Sequence, residues 1–279
     1  MKRIMLVVAY DGTAYHGWQL QPYEITVEAV LNQALTELLG TEITVIGASR
    51  TDAGVHAYGN VAVFDTDSRI PPEKFSYALN QRLPEDVKIQ KSFQVPDDFH
   101  PRKSDCVKTY EYRICNREFP LPTKRRYSYF QYGHFDLEKM KDGAQYLVGT
   151  HDFTSFCSVN TVVEDKVRTI TDIEIVREHT DIVIRVQGTG FLYNMVRIIA
   201  GTLIEVGKGM RAPESVKDAL AKMDRQAAGP TAPPMGLTLV EIEYPENKLL
   251  VKLQEAEEAV QGGEGWLSMD ELKTLIKKK

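Results

Sequence analysis

The feature that most limits how this chain can fold is a change in the period of its apolar residues. Through residues 2–95 the period runs strand, helix, strand, strand, helix, strand. Residues 2–10 are a nearly continuous run of Ile, Leu, Met and Val, the pattern of a strand covered on both faces. Thr26 can cap a helix whose Val27, Val30, Leu31, Ala34, Leu35, Leu38 and Leu39 recur at helical spacing, and Gly40 can end it. Residues 43–48 and 58–66 read as two strands separated by the turn-like "SRTDAGVHA". Pro71 and Pro72 open a second helix through about Gln81, and Val87, Ile89, Phe93 and Val95 mark a fourth strand.

The second half repeats that order without repeating the sequence. It reads as a strand over 106–116, a helix over 136–148, strands over 167–177 and 181–187, helices over 191–206 and 213–223, and a strand over 237–244. The expectation is an α+β protein of two ferredoxin-like (βαββαβ) lobes, residues 1–104 and 105–245, with mostly antiparallel sheets and helices on one face. The joint falls in "FHPRKSD". Residues 246–279 form a charged tail in which Ser268 and Glu271 are spaced as a capping box before Leu272, Leu275 and Ile276, which predicts a short surface helix.

Length and charge narrow the function classes. A chain of 279 residues can bury two modest cores. No run of eighteen apolar residues is present, and the apolar start reaches Asp11 without a small-residue cleavage site, so a soluble cytoplasmic protein is expected. Three cysteines without a C-x-x-C pair suggest neither a disulfide framework nor a zinc site. The net charge of -5 argues against indiscriminate nucleic-acid binding. Residues 100–126 are the exception: eight basic side chains stand against three acidic ones, with Tyr110 and Tyr112 among them and Tyr127, Tyr129 and Tyr132 just beyond. That mixture suits phosphate contact combined with base stacking.

Several motif readings fail on their chemistry. "GTLIEVGKGM" has one residue too many for a phosphate loop and no Ser or Thr after Lys208. "TDAG" lacks the second matching aspartate that an aspartic protease needs. Asp52 and His56 are four apart, yet no third metal ligand follows a recognisable spacing. Arg50 and Asp52 remain. Spacing alone favours a structural pair tying a turn, while an aspartate in a cleft beside an arginine is expected to stay ionised below its usual range and to be available as a nucleophile.

"GASRTDAGVHA" resembles the signature loop of the tRNA pseudouridine synthase A family. "YDGTAYHGWQ", "LNQRLP", "DDFHPR", "KTYEYRI", "DFTSF" and "GFLYNMVRIIAGTLIEVG" resemble further segments in the family's order, over residues 2–245. Ser49 stands where many members have glycine, and Lys108 where some have arginine. The resemblance implies a pseudouridine synthase fold whose two lobes meet at a basic cleft, a homodimer, and isomerisation of uridine at three adjacent positions just 3′ of the tRNA anticodon, with neither cofactor nor metal. It implies Asp52 as the catalytic carboxylate, Tyr110 stacked on the uracil, Arg50 ordering the loop or filling the flipped nucleotide's place, and Arg197 paired with Asp52. Arg102, Lys103 and Lys108 are expected to bind substrate, and the Lys124 to Arg126 cluster to meet the RNA backbone. The competing classes are a non-catalytic RNA-binding module on the same paired sheets, and a carboxylate-dependent hydrolase, for which no second acid is found.

Overall fold

A computed structural model describes residues 1–161 and 163–244; the predicted tail helix lies outside them. Residues 1–242 form one compact unit. Its first half consists of β1 (Lys2–Tyr10), α1 (Val27–Leu39), β2 (Ile46–Gly47), β3 (His56–Thr66), α2 (Phe75–Asn80) and β4 (Val87–Val95). The second half adds β5 (Val107–Asn116), β6 (Tyr129–Gln131), α3 (Leu137–Gln145), β7 (Gly149–Asp152), β8 (Val167–Glu178) and β9 (Asp181–Gly188). It closes with α4 (Met195–Gly207), α5 (Ser215–Lys222) and β10 (Leu237–Glu243). No helix among the described residues is long and apolar enough to cross a membrane.

The strands make one sheet in the order β4-β1-β3-β10-β5-β9-β8-β7, with β2 also on β3 and β6 on β5. The first half therefore runs β4-β1-β3-β2 and the second β10-β5-β9-β8. Numbered within its own half, each set has its fourth strand beside its first, then its third, then its second. This is the order of a split βαβ unit, and it occurs twice. The two units are joined edge to edge through β3. One end of β3 pairs in parallel with β10, His56 opposite Thr238 and Ala57 opposite Leu239. Farther along, Ala62 and Val63 pair with Gly47 and Ile46 of β2. The loop between β2 and β3 thus emerges at the seam between the halves.

Local chemistry sets these elements. Thr26 Oγ1 accepts from the Ala29 amide at 3.3 Å and Gly40 ends α1 at φ +70°, so both expected caps are present. α1 buries Val27, Leu31, Ala34 and Leu35, and burying a leucine contributes about 1.5–3 kcal/mol. The strand expected over 43–48 shrinks to Ile46–Gly47 because α1 captures its earlier amides: Ile43 N donates to Thr36 Oγ1 and Val45 N to Asn32 Oδ1. The helix expected from 191 begins at Met195, since Asn194 takes a left-handed φ of +61°. A short 3-10 turn, Pro72–Lys74, precedes α2. β6 and β7, of three and four residues, are too short to show a period in the sequence.

α4 is buried over most of its circumference. It passes close to the segment leading to β10: a Cβ on Gly201 would lie 1.8 Å from the Pro230 carbonyl oxygen. Two residues on, the Ala232 amide donates to the Arg197 carbonyl at 3.0 Å. Fully buried Tyr112 on β5 ties the same segment through its hydroxyl, which donates to Pro233 O at 2.8 Å. Gly201→Ala is therefore expected to cost about 1–3 kcal/mol of stability by overpacking. Urea unfolding measures it, and a midpoint equal to wild type would contradict this packing.

Candidate active site

In the loop from residue 48 to 55, burial alternates along residues 49–52. Ser49 and Thr51 are buried, 6% and 7% exposed, while Arg50 faces solvent and the Asp52 side chain is 16% exposed. The inward residues fix the loop and the outward ones are presented to the cleft. Thr51 Oγ1 shares a hydrogen bond of 2.7 Å with Tyr10 OH, and Ser49 Oγ shares one of 2.8 Å with Tyr110 OH. Asn60, fully buried on β3, donates to Ser49 O at 3.0 Å and to Tyr10 OH at 3.3 Å.

The segment "YDGTAYHGWQ" packs against this loop. Trp18 N donates to Thr51 O, and Gly54 N to Tyr15 O. Gly17 sits at φ +86°, and a Cβ there would lie 2.6 Å from Thr51 O, so only glycine fits.

Asp52 meets a partner from the other half. Arg197 on α4 places Nη1 3.2 Å from Asp52 Oδ2. The same guanidinium donates to Ala232 O and to Asn194 Oδ1, both at 2.8 Å, so its position does not depend on Asp52. The expected ion pair is present, but its effect differs from the expectation. Burial lifts the Asp52 carboxyl above its ordinary value, and Arg197 offsets only part of that. An aspartate beside an arginine titrates low in water. In this cleft the loss of water is the larger effect.

Tyr110 projects from β5 and is 6% exposed. Burial holds its phenol far above the usual value, and Phe191 packs edge-on against the ring at 5.2 Å. Arg50, Asp52, Tyr110 and Asn194 line one small cleft. Of the other expected residues, Lys108 is half-buried, its ammonium donates to Ala48 O at 3.0 Å, and burial lowers its pKa. Arg102 and Lys103 are exposed, as are Arg125 and Arg126. Lys124 is paired at 2.6 Å with Asp181.

Two contributors lie inside the quoted motifs without a role assigned to them there. Asn194 holds Arg197 from a left-handed backbone position that its sequence does not announce. His56 is 3% exposed, with Nδ1 accepting from Gly12 N at 3.1 Å. Tyr127 lies over it at 5.2 Å and donates to Asp11 Oδ2 at 2.7 Å, so the basic segment 124–126 is moored beside the Asp52 loop. Burial holds His56 below its ordinary pKa, with Asp11 opposing. The signal for Asn60 was available: it is an amide inside the apolar run "YGNVAVF".

The site is thus a mostly buried carboxylate at the seam of a duplicated split-βαβ sheet, held by an arginine from the other half. The pattern of the tRNA pseudouridine synthase family matches residues 6–102 and 144–245. The chain is 47% identical over 244 residues to tRNA pseudouridine synthase A of Thermoanaerobacter sp., covering 88% of this chain and 100% of that relative. The protein of the same name from Brevibacillus brevis is 46% identical over 246 residues, with the same coverage. The chain belongs to the tRNA pseudouridine synthase family.

Proposed function

We propose that the protein converts uridine to pseudouridine in the anticodon stem and loop of tRNA, at the three adjacent positions just 3′ of the anticodon, as a cytoplasmic homodimer. The observation that carries this reading is the Asp52–Arg197 pair at the seam, with Tyr110 in the same cleft. Residues 1–104 and 105–245 would act as two walls around the base. The reaction breaks the bond from N1 to C1′, turns the base, and joins C5 to C1′; N1 gains a proton and C5 loses one. A base inside a stem must first leave the stack, at a cost of a few kcal/mol. Asp52 then acts on a carbon of the base or ribose, or on a ribose proton. Arg50, exposed beside it, bonds a phosphate or base edge through its planar fork.

Arg102, Lys103, Arg125 and Arg126 supply backbone contacts, and Lys108 adds positive potential from behind the loop. Affinity for tRNA is accordingly expected to fall at least about tenfold between 50 and 200 mM salt. A flat response in a filter-binding titration would contradict it. A non-catalytic RNA-binding module has no use for a carboxylate held by an arginine in a cleft. The deciding experiment incubates the protein with tRNA carrying tritium at uracil C5. Release of tritium supports the synthase, and tight binding without release from any tRNA supports the module.

A further inference from the structure

Among the described side chains near the proposed reacting groups, Ser49 has no task in the reading above. It lies next to Arg50 and three residues before Asp52, with its buried hydroxyl 2.8 Å from the Tyr110 hydroxyl. Both residues are 6% exposed, so each hydroxyl would lose a buried partner without the other. The bond crosses the seam from the loop after β2 to β5.

We propose that Ser49 is a positioning residue for Tyr110: its hydroxyl fixes the rotation of the phenolic O–H, and so which lone pair or proton Tyr110 turns toward a base held over Asp52. The inference rests on the function proposed above and adds to it a residue that acts only through another. Three features give Ser49 this role rather than that of a filler. The Tyr110 ring is held independently, edge-on to Phe191 at 5.2 Å, so removing the serine hydroxyl frees the O–H without releasing the ring. The backbone of Ser49 is fixed separately, its carbonyl accepting from fully buried Asn60 at 3.0 Å. The neighbouring inward hydroxyl, Thr51, is already committed to Tyr10 at 2.7 Å. A phenolic O–H turns about one bond, and a hydroxyl within hydrogen-bond distance is what fixes that rotation. Ser49 is the group placed to do so.

The test is a cycle of Ser49→Ala, Tyr110→Phe and the double variant, each assayed for single-turnover tritium release from C5-labelled tRNA at saturating enzyme and for tRNA affinity. Thermal melting checks that each variant folds. Ser49→Ala is expected to slow release about tenfold with affinity changed by less than about twofold. Tyr110→Phe should slow it more, and adding Ser49→Ala to Tyr110→Phe should slow it no further. Equal slowing by Ser49→Ala in both backgrounds would mean that the serine acts independently of the tyrosine and would overturn the proposal. So would a single variant that releases tritium at the wild-type rate, or one that loses affinity in place of rate. Silence of the wild-type protein itself would instead overturn the proposed function, and the inference with it.

Discussion

Asp52→Asn is expected to lower tritium release by roughly 10⁴-fold or more while tRNA affinity stays within about threefold. Asparagine keeps the shape of the side chain and still offers an oxygen to Arg197 Nη1, now 3.2 Å from Asp52 Oδ2. The amide is neutral and cannot attack carbon or take a proton, so every chemical role open to Asp52 disappears together. Arg197 keeps its bonds to Ala232 O and Asn194 Oδ1, so the cleft has no reason to collapse. The exchange also removes a carboxylate that burial disfavours, which argues against a loss of stability. Single-turnover release and filter binding on the same preparation separate the two effects. A variant retaining a tenth of the wild-type rate would remove Asp52 from the chemistry.

Much of this arrangement was legible in the order of apolar periods, because strand and helix spacings are local properties. The twofold strand, helix, strand, strand, helix, strand pattern pointed to two split units, and the sheet orders β4-β1-β3-β2 and β10-β5-β9-β8 agree with that. Local spacing carried no sign that β3 would be shared. The pairing of His56 with Thr238 joins residues 182 apart in the chain, and it is this long-range contact that puts the Asp52 loop at the seam. The strand expected over 43–48 is shortened to Ile46–Gly47 for a related reason. Its amides bond to Thr36 and Asn32 side chains, partners that only the packed helix provides.

The site divides in the same way. Of the residues singled out by motif, Arg50, Asp52 and Tyr110 line one cleft, and Arg197 pairs with Asp52. The titration of Asp52 was misjudged in direction, since residue types reveal a neighbouring arginine but not how much water the fold excludes. Lys108, expected to bind substrate, places its ammonium on the carbonyl of Ala48 at the start of the loop. Composition identified the cation correctly. Only the packed structure says what it faces.

The second large effect concerns Arg197→Gln. Asp52 titrates above its ordinary value of 3.8 because burial outweighs Arg197, whose charge and hydrogen bond both pull it down. Removing that charge takes away the opposing influence, so the carboxyl must rise further. If the reaction needs the carboxylate, the acidic limb of the pH–rate profile moves to higher pH. Stability gives an independent check of sign. A folded-state pKa above the unfolded one means that the native protein binds the proton more tightly, so Asp52 favours the fold at low pH and that contribution is lost as pH rises through the raised pKa. Arg197→Gln should therefore cost least stability in acid and most near neutrality, measured by urea unfolding across pH. Adding Asp52→Asn should flatten that dependence, because no carboxyl remains to titrate. An acidic limb unmoved by Arg197→Gln would assign the limb to another group and leave Arg197 as a purely structural tie between α4 and the loop.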